Sequence, residues 1–168
     1  MMLMSKAAQA LSGELIGTDV LFTSVSKDTR DIDDGSLYVA IKGERFDGHA
    51  FVNQAGEAGA AGALVSEHQS AQLPQICVSD TRLALGQLAA HWRQQFNGKL
   101  VGITGSNGKT TVKEMTKSIL EHAAGEGHVL STEGNLNNDI GMPMTLLELR
   151  EHQQNAVIEM GANHPGEI

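Results

Sequence analysis

The sequence predicts an α/β protein in two parts. A small N-terminal α/β domain, residues 1–80, is followed by an incomplete parallel-sheet domain of the P-loop type, residues 81–168. Three observations carry this. The stretch Val101-Gly102-Ile103-Thr104-Gly105-Ser106-Asn107-Gly108-Lys109-Thr110-Thr111 passes from an apolar run through a Gly-flanked loop into a helical pattern. Ala156-Val157-Ile158-Glu159-Met160 is an apolar run broken by one acid, as in parallel strands covered on both faces. The residues before about position 80 alternate short strand-like and helix-like pieces, which suits a compact α/β unit with its own modest core.

The elements follow in order. A short helical pattern runs around Met4 to Leu11. Leu21–Val25 and Ser36–Ile41 read as strands, and His49–Ala60 as a small-residue helix with Phe51, Val52 and Ala55 on one face. Ala63–Ser66 and Gln75–Ser79 are further short strands. Asp80 is placed to cap the next helix, along which Leu85, Leu88, Ala89, Trp92 and Phe96 recur at helical spacing. That helix is expected to join the two parts and to stop near Asn97-Gly98. Leu100–Thr104 is the strand before the loop, and a helix from about Lys109 to His122 follows it, with Val112, Met115 and Ile119 lining one face. His128–Ser131 is a weaker strand, and Pro143 to Glu148 a helix with Pro in its first turn. Asn163–Ile168 resembles another helix opening. With only about three strands in this part, against about five or six in a usual sheet, the chain is expected to be an N-terminal fragment cut inside its second domain.

Composition narrows the function. The 168 residues carry 40% apolar and 19% charged side chains, ordinary for a globular protein. A formal net charge of −8 argues against a nucleic-acid surface. Cys77 is the single cysteine, so no internal disulfide forms, and its apolar setting reads as packing. No apolar run approaches the ~20 residues that span a bilayer. The N-terminus MMLMSKAAQALSGELIG lacks the basic-then-apolar layout of a secretion signal, and a cytoplasmic location is expected.

The Gly105–Thr111 loop is the strongest chemical signal. Gly105 and Gly108 let backbone N–H groups close around phosphate oxygens, and the helix that follows offers its free first-turn amides and positive dipole end. Lys109 adds a point charge and Thr110 a hydroxyl suited to Mg²⁺. The pattern is not a Walker A motif, which would place Gly where Ile103 stands; the TGxxGKTT form is typical of ATP-dependent amide ligases. The competing reading is an ordinary Gly-rich turn before a helix. Glu159, near the end of its strand, is expected to share one crevice with the loop and to hold Mg²⁺, against the alternative of a strand-end acid turned to water. Gly134–Pro143 is rich in amides and turn residues, and taken alone a plain loop is the better reading; its position between a strand and a helix at the expected active edge also suits Asn side chains that orient nucleotide or acyl phosphate. In the first part, Ser24–Arg30 and Lys42–His49 bring hydroxyls, Arg30 and a helix start together, a weaker signal for a second phosphorylated ligand. There Asp47-Gly48 reads equally as a turn, and Arg30 as a partner of Asp28 or Asp31.

These segments resemble the Mur ligases, which build the peptide stem of bacterial cell-wall precursors. SKDTR followed by DGSLYVAIKGERFDGHAF is similar to that family's uridine-nucleotide-binding domain, TGSNGKTT to its ATP loop, and GNLNNDIGMPMTLLEL and EMGANHPGEI to the branch that adds D-alanyl-D-alanine. The resemblance implies an ATPase-type second domain and two cofactors, ATP and Mg²⁺. It implies two substrates, UDP-N-acetylmuramoyl-tripeptide and D-alanyl-D-alanine, joined through an acyl phosphate. It assigns Gly105, Ser106, Asn107, Gly108, Lys109, Thr110, Thr111 and Asn135 to ATP, and Thr110 and Glu159 to the metal. Lys109, Glu159 and Asn138 take catalytic roles, and Ser26, Thr29, Arg30, Asp47, Gly48 and His49 hold the UDP-sugar. No nucleic acid or membrane insertion is expected, and a monomer is. The family has a longer central domain and a third domain, so the 168 residues alone are expected to be inactive while UDP-sugar recognition survives. A diamino-acid-adding Mur ligase, a folyl-polyglutamate synthetase, a non-catalytic nucleotide-binding module and a small-molecule kinase are the alternatives.

Overall fold

The structure, a computed structural model, describes residues 1–43 and 46–161. It divides into two compact units, Met1–Leu88 and Ala89–Ile168, within a helix and not at the 80/81 junction that the cap residue suggests. The helix start expected at Asn163–Ile168, and Glu44 and Arg45 of the Lys42–His49 stretch, lie outside the described residues.

The first unit opens with β1 (Met2–Leu3), α1 (Met4–Ala10), β2 (Glu14–Ile16), β3 (Leu21–Phe22), β4 (Ser24–Ser26) and β5 (Ser36–Val39). A 3₁₀ turn, Gly48–Phe51, leads into α2 (Val52–Glu57), and β6 (Gly62–Val65) and β7 (Gln75–Cys77) follow. One five-stranded sheet has the order β2-β7-β6-β5-β4. Its strands are parallel except β2, which runs antiparallel to β7. All four residues of β5 and all four of β6 are buried, as in strands covered on both faces. Tyr38, Ala40, Val52, Ala55, Ala63 and Val65 form one cluster of this core. The expected strand Leu21–Val25 is in fact two: β3 pairs with β1, and β4 joins the larger sheet. β1 and β2, of two and three residues, are too short to show any period in sequence. The helix expected at His49–Ala60 begins as the 3₁₀ turn and ends three residues early.

α3 (Thr81–Arg93) carries the chain from one unit to the next. Asp80 Oδ1 accepts the N–H groups of Arg82 at 2.8 Å and Leu83 at 3.0 Å, the cap that the sequence suggests. Thr81 Oγ1 donates to the Ala40 carbonyl at 2.8 Å and ties the helix start to the end of β5.

The second unit contains β8 (Lys99–Ile103), α4 (Lys109–Ala124), β9 (Val129–Ser131), α5 (Gly141–Leu147) and β10 (Asn155–Glu159). Among the described residues its sheet has three parallel strands in the order β8-β10-β9. Central β10 is covered on both faces. Ala156 and Ile158 pack with Leu130 and Leu149 against Trp92, Phe96, Met142 and Leu146, while Val157 packs with Ile103 and Val129 against Leu120 of α4. Trp92 and Phe96 are thus packing residues, and Trp92 Nε1 donates to the Leu149 carbonyl at 3.0 Å.

α4 carries the expected stripe, turned to an exposed side. Val112, Met115 and Ile119 do share a helix face, but that face is exposed, at 51%, 63% and 68%. The inward face carries Lys113, which is buried, and Leu120. Periodicity identifies a stripe; what lies against the stripe is decided by tertiary contacts.

Candidate functional site

Parallel pairing sets Glu159 of β10 opposite Ile103 of β8, so both strands end at one edge of the sheet. Open α/β sheets bind ligands outside such carboxyl ends. The chain leaves β8 through Gly105 (φ +145°) and Gly108 (φ +74°), backbone states that favour glycine. Gly108 caps α4 without any side-chain hydrogen bond, which leaves the first-turn N–H groups of Lys109 to Thr111 to an anion. Lys109 Nζ donates to the Gly105 carbonyl at 2.9 Å and so sits inside the loop. A cleft of about 450 Å³ opens here, lined by Thr104, Gly105, Ser106, Lys109, Asn137, Asn138 and Gly161.

Glu159 is only 2% exposed. Its Oε1 accepts Asn137 Nδ2 at 2.8 Å and Thr110 Oγ1 at 3.3 Å, whereas its Oε2 is buried without a hydrogen-bond partner among the described residues. A buried, unpaired carboxylate oxygen is expensive and makes Glu159 a candidate ligand-binding group. Among the described residues, no three His, Cys, Asp or Glu side chains gather as a metal cage. One carboxylate, one hydroxyl and an adjacent phosphate loop therefore fit Mg²⁺, a hard ion that keeps waters and shares phosphate oxygens.

The amide-rich loop resolves unevenly. Asn137, which sequence reasoning did not select, reaches Glu159, and its carbonyl accepts the Gly161 N–H at 2.7 Å. Asn138 lines the cleft, but its Oδ1 accepts the N–H groups of Ile140 at 3.3 Å and Gly141 at 2.7 Å and caps α5. Asn135 is exposed. Amide density alone does not say which of several asparagines turns inward. Ser106, Asn107 and Thr111 are exposed along the loop and the first helical turn.

In the first unit the candidate residues lie around the carboxyl ends of β4, β5 and β6. Ser26 ends β4, and its hydroxyl both donates to the Asp28 carbonyl and accepts the Asp28 N–H, each at 3.1 Å. Thr29 is half-buried in the turn that follows. Arg30 pairs with Asp28 through Nε at 2.9 Å and Nη2 at 2.6 Å, the bland partnership that its spacing allows. The Arg30 guanidinium holds the Asp28 carboxyl well below the usual range. The Arg30 side chain is 86% exposed, so this pair is open to competition from a phosphate. Asp47 caps the 3₁₀ turn by accepting the His49 N–H at 3.0 Å and binds His49 Nδ1 at 2.6 Å. His49 Nε2 accepts the Ser66 N–H at 2.9 Å, which fixes the proton of a neutral ring on Nδ1. Gly48 is buried, and its carbonyl accepts the Tyr38 hydroxyl at 3.0 Å. Burial raises the Tyr38 phenol to about 12.

Two family models match, the Mur ligase family catalytic domain over residues 21–93 and the Mur ligase middle domain over residues 103–167. The chain belongs to the Mur ligase family. Over 98% of its length it is 53% identical to the UDP-N-acetylmuramoyl-tripeptide–D-alanyl-D-alanine ligase of Escherichia coli, and over 96% it is 51% identical to that of Haemophilus influenzae. The structure of MurF from Acinetobacter baumannii superposes over 97% of the chain with a TM-score of 0.86 at 45% identity. MurF from Thermotoga maritima in complex with ADP covers 86% with a TM-score of 0.74 at 32% identity. This Mur ligase chain spans 36% of the length of the two curated relatives. The middle-domain match begins at Ile103, where β8 leads into the Gly105–Gly108 loop, and contains Glu159.

Proposed function

We propose that the protein is an ATP-dependent amide ligase that joins D-alanyl-D-alanine to UDP-N-acetylmuramoyl-tripeptide in cell-wall precursor synthesis. One observation carries the reading: over nearly its whole length the chain is 53% identical to a ligase named for that reaction. The convergence of Lys109, Thr110 and Glu159 on one sheet edge supports it. In the proposed sequence, the terminal carboxylate of the tripeptide attacks the γ-phosphorus of ATP and ADP leaves. The dipeptide amine then attacks the acyl carbon, and inorganic phosphate departs as the amide forms.

The chain's own residues have the following parts. Amides from Gly105 to Thr111 cradle the phosphates of ATP, and Lys109 moves from the Gly105 carbonyl onto their charge. Thr110 and Glu159 would hold Mg²⁺, with Asn137 fixing the Glu159 carboxylate. Bound there, the ion supplies neutralisation of charge on the transferring phosphoryl group. Asn138 shapes the loop by capping α5, and the exposed Asn135 would meet the nucleotide. In the first unit Ser26, Thr29, Arg30, Asp47, Gly48 and His49, grouped around the carboxyl ends of β4, β5 and β6, would hold the UDP-sugar. The same reading makes the enzyme a cytoplasmic monomer, open to check by cell fractionation and sedimentation.

The test uses the polypeptide encoded by the whole reading frame. Phosphate release from ATP is expected only when the UDP-tripeptide and the dipeptide are both present. Release without the dipeptide, or with a diamino acid in its place, overturns the assignment.

A further inference from the structure

The phosphate-loop helix buries a lysine. Lys113 lies one turn beyond Lys109 on α4, is 1% exposed, and is the only residue of that helix that is fully buried. Its Nζ donates to the Thr132 carbonyl at 2.6 Å and lies 2.8 Å from Glu114 Oε1. An ammonium in a core is costly unless paired, and an apolar side chain of similar length would serve packing as well or better. What distinguishes Lys113 is the residue it holds. Thr132 follows β9, is 0% exposed, and its Oγ1 accepts the backbone N–H of Glu159 at 2.9 Å. A continuous path therefore runs from the second turn of α4, through the carbonyl and the hydroxyl of Thr132, to Glu159. Thr110, on the first turn of the same helix, meets Glu159 from its other end at 3.3 Å.

We propose that Lys113 is a positioning residue for the metal-nucleotide site: it clamps α4 to the end of β9 and, through Thr132, sets where the Glu159 carboxylate stands relative to Thr110. This rests on the reading that Glu159 and Thr110 take Mg²⁺. Groups behind metal-binding side chains fix their orientation, and losing one weakens metal affinity without removing any ligand. Lys113 is too deep to meet phosphate, so its loss acts on the metal and leaves metal-free nucleotide binding alone.

The experiment titrates Mg²⁺ by calorimetry into the whole-reading-frame polypeptide saturated with ADP, with melting temperatures recorded alongside. Lys113→Met is expected to raise the Mg²⁺ concentration for half-saturation about tenfold or more, while ADP affinity without Mg²⁺ stays within about twofold. Thr132→Val, which removes only the hydroxyl facing Glu159, is expected to reproduce this, and Thr132→Ser to restore the wild-type value. If Lys113→Met does not fold, Thr132→Val carries the test, since it cuts the same path and leaves the ammonium in place. A lower melting temperature with unchanged Mg²⁺ half-saturation in the variants makes Lys113 purely structural and overturns the proposal. Failure of the wild type to show any Mg²⁺-dependent ADP binding is a separate result, which refutes the site reading and this inference with it.

Discussion

Replacing Glu159 by Gln separates what the carboxylate costs the fold from what it does for a ligand. In the free protein the buried charge has two neutral donors on Oε1, from Asn137 and Thr110, and among the described residues nothing on Oε2. Desolvation of such an ion costs several kcal/mol. A Gln carbonyl keeps both Oε1 bonds but as neutral ones, so each falls from about 1.5–3 to about 0.5–1.5 kcal/mol, a loss of about 2–3 kcal/mol for the pair. Removing the charge is the larger effect, and the net gain in stability is on the order of 1–2 kcal/mol. For a chain of this size that raises the melting temperature by about 2–8 °C. Ligand reverses the order. Mg-nucleotide at a hundred times its dissociation constant adds about 2.7 kcal/mol to the wild type and far less to the variant. Thermal unfolding of both proteins, with and without Mg-ADP, reads out the crossing. If Glu159→Gln melts below the wild type without ligand, the carboxylate stabilises the free fold, and Oε2 is not held in reserve for a cation.

Two further outcomes concern the first unit. A Cβ on Gly48 would come within 2.8 Å of the Ile41 nitrogen and 3.0 Å of the Ala40 Cα, both backbone atoms, so Gly48→Ala is expected to lose about 1–3 kcal/mol in chemical denaturation. Gly86→Ala, in α3 with nothing within 4 Å of the added carbon, is the control and should gain about 0.5–1 kcal/mol; equal effects at both positions would refute the steric account. The His49 N–H, and then the His49 ring, hold the Asp47 carboxyl below its ordinary value. Its contribution is therefore complete above the unfolded value of about 3.9 and lost as pH falls through the lower folded value. Denaturant midpoints of wild type and Asp47→Asn should differ by a constant above about pH 5 and converge below about pH 4; a gap that widens on acidification contradicts the assignment.

Much of the molecule was legible before any coordinates. The strand–loop–helix passage from β8 to α4 was readable because its signals are consecutive and local: an apolar run, two glycines that take the positive φ at Gly105 and Gly108, then a helical pattern. β10 was readable because a strand buried on both faces must be apolar throughout, which left Glu159 conspicuous. The Asp80 cap is likewise local. By contrast β1 and β2 carry too few residues for a period, and the break at Thr23 between β3 and β4 belongs to two different pairings. Among the asparagines of the 134–143 loop, only the fold turned Asn137 towards Glu159 and spent Asn138 on a helix cap.

The sequence by itself determined which backbone segments bend, extend or coil, because glycine freedom, capping and apolar periodicity act within a few residues. It thereby placed a glycine-flanked strand–loop–helix passage and a strand-end acid in one chain. Tertiary structure alone decided that these meet, since Thr110 and Glu159 are 49 residues apart and touch only because β8 and β10 pair in parallel. It also decided that α4 turns Lys113 inward and Val112, Met115 and Ile119 outward. Helix rotation is set by what the neighbouring strands offer, and in this case the Thr132 carbonyl offers a partner that only a donor can satisfy.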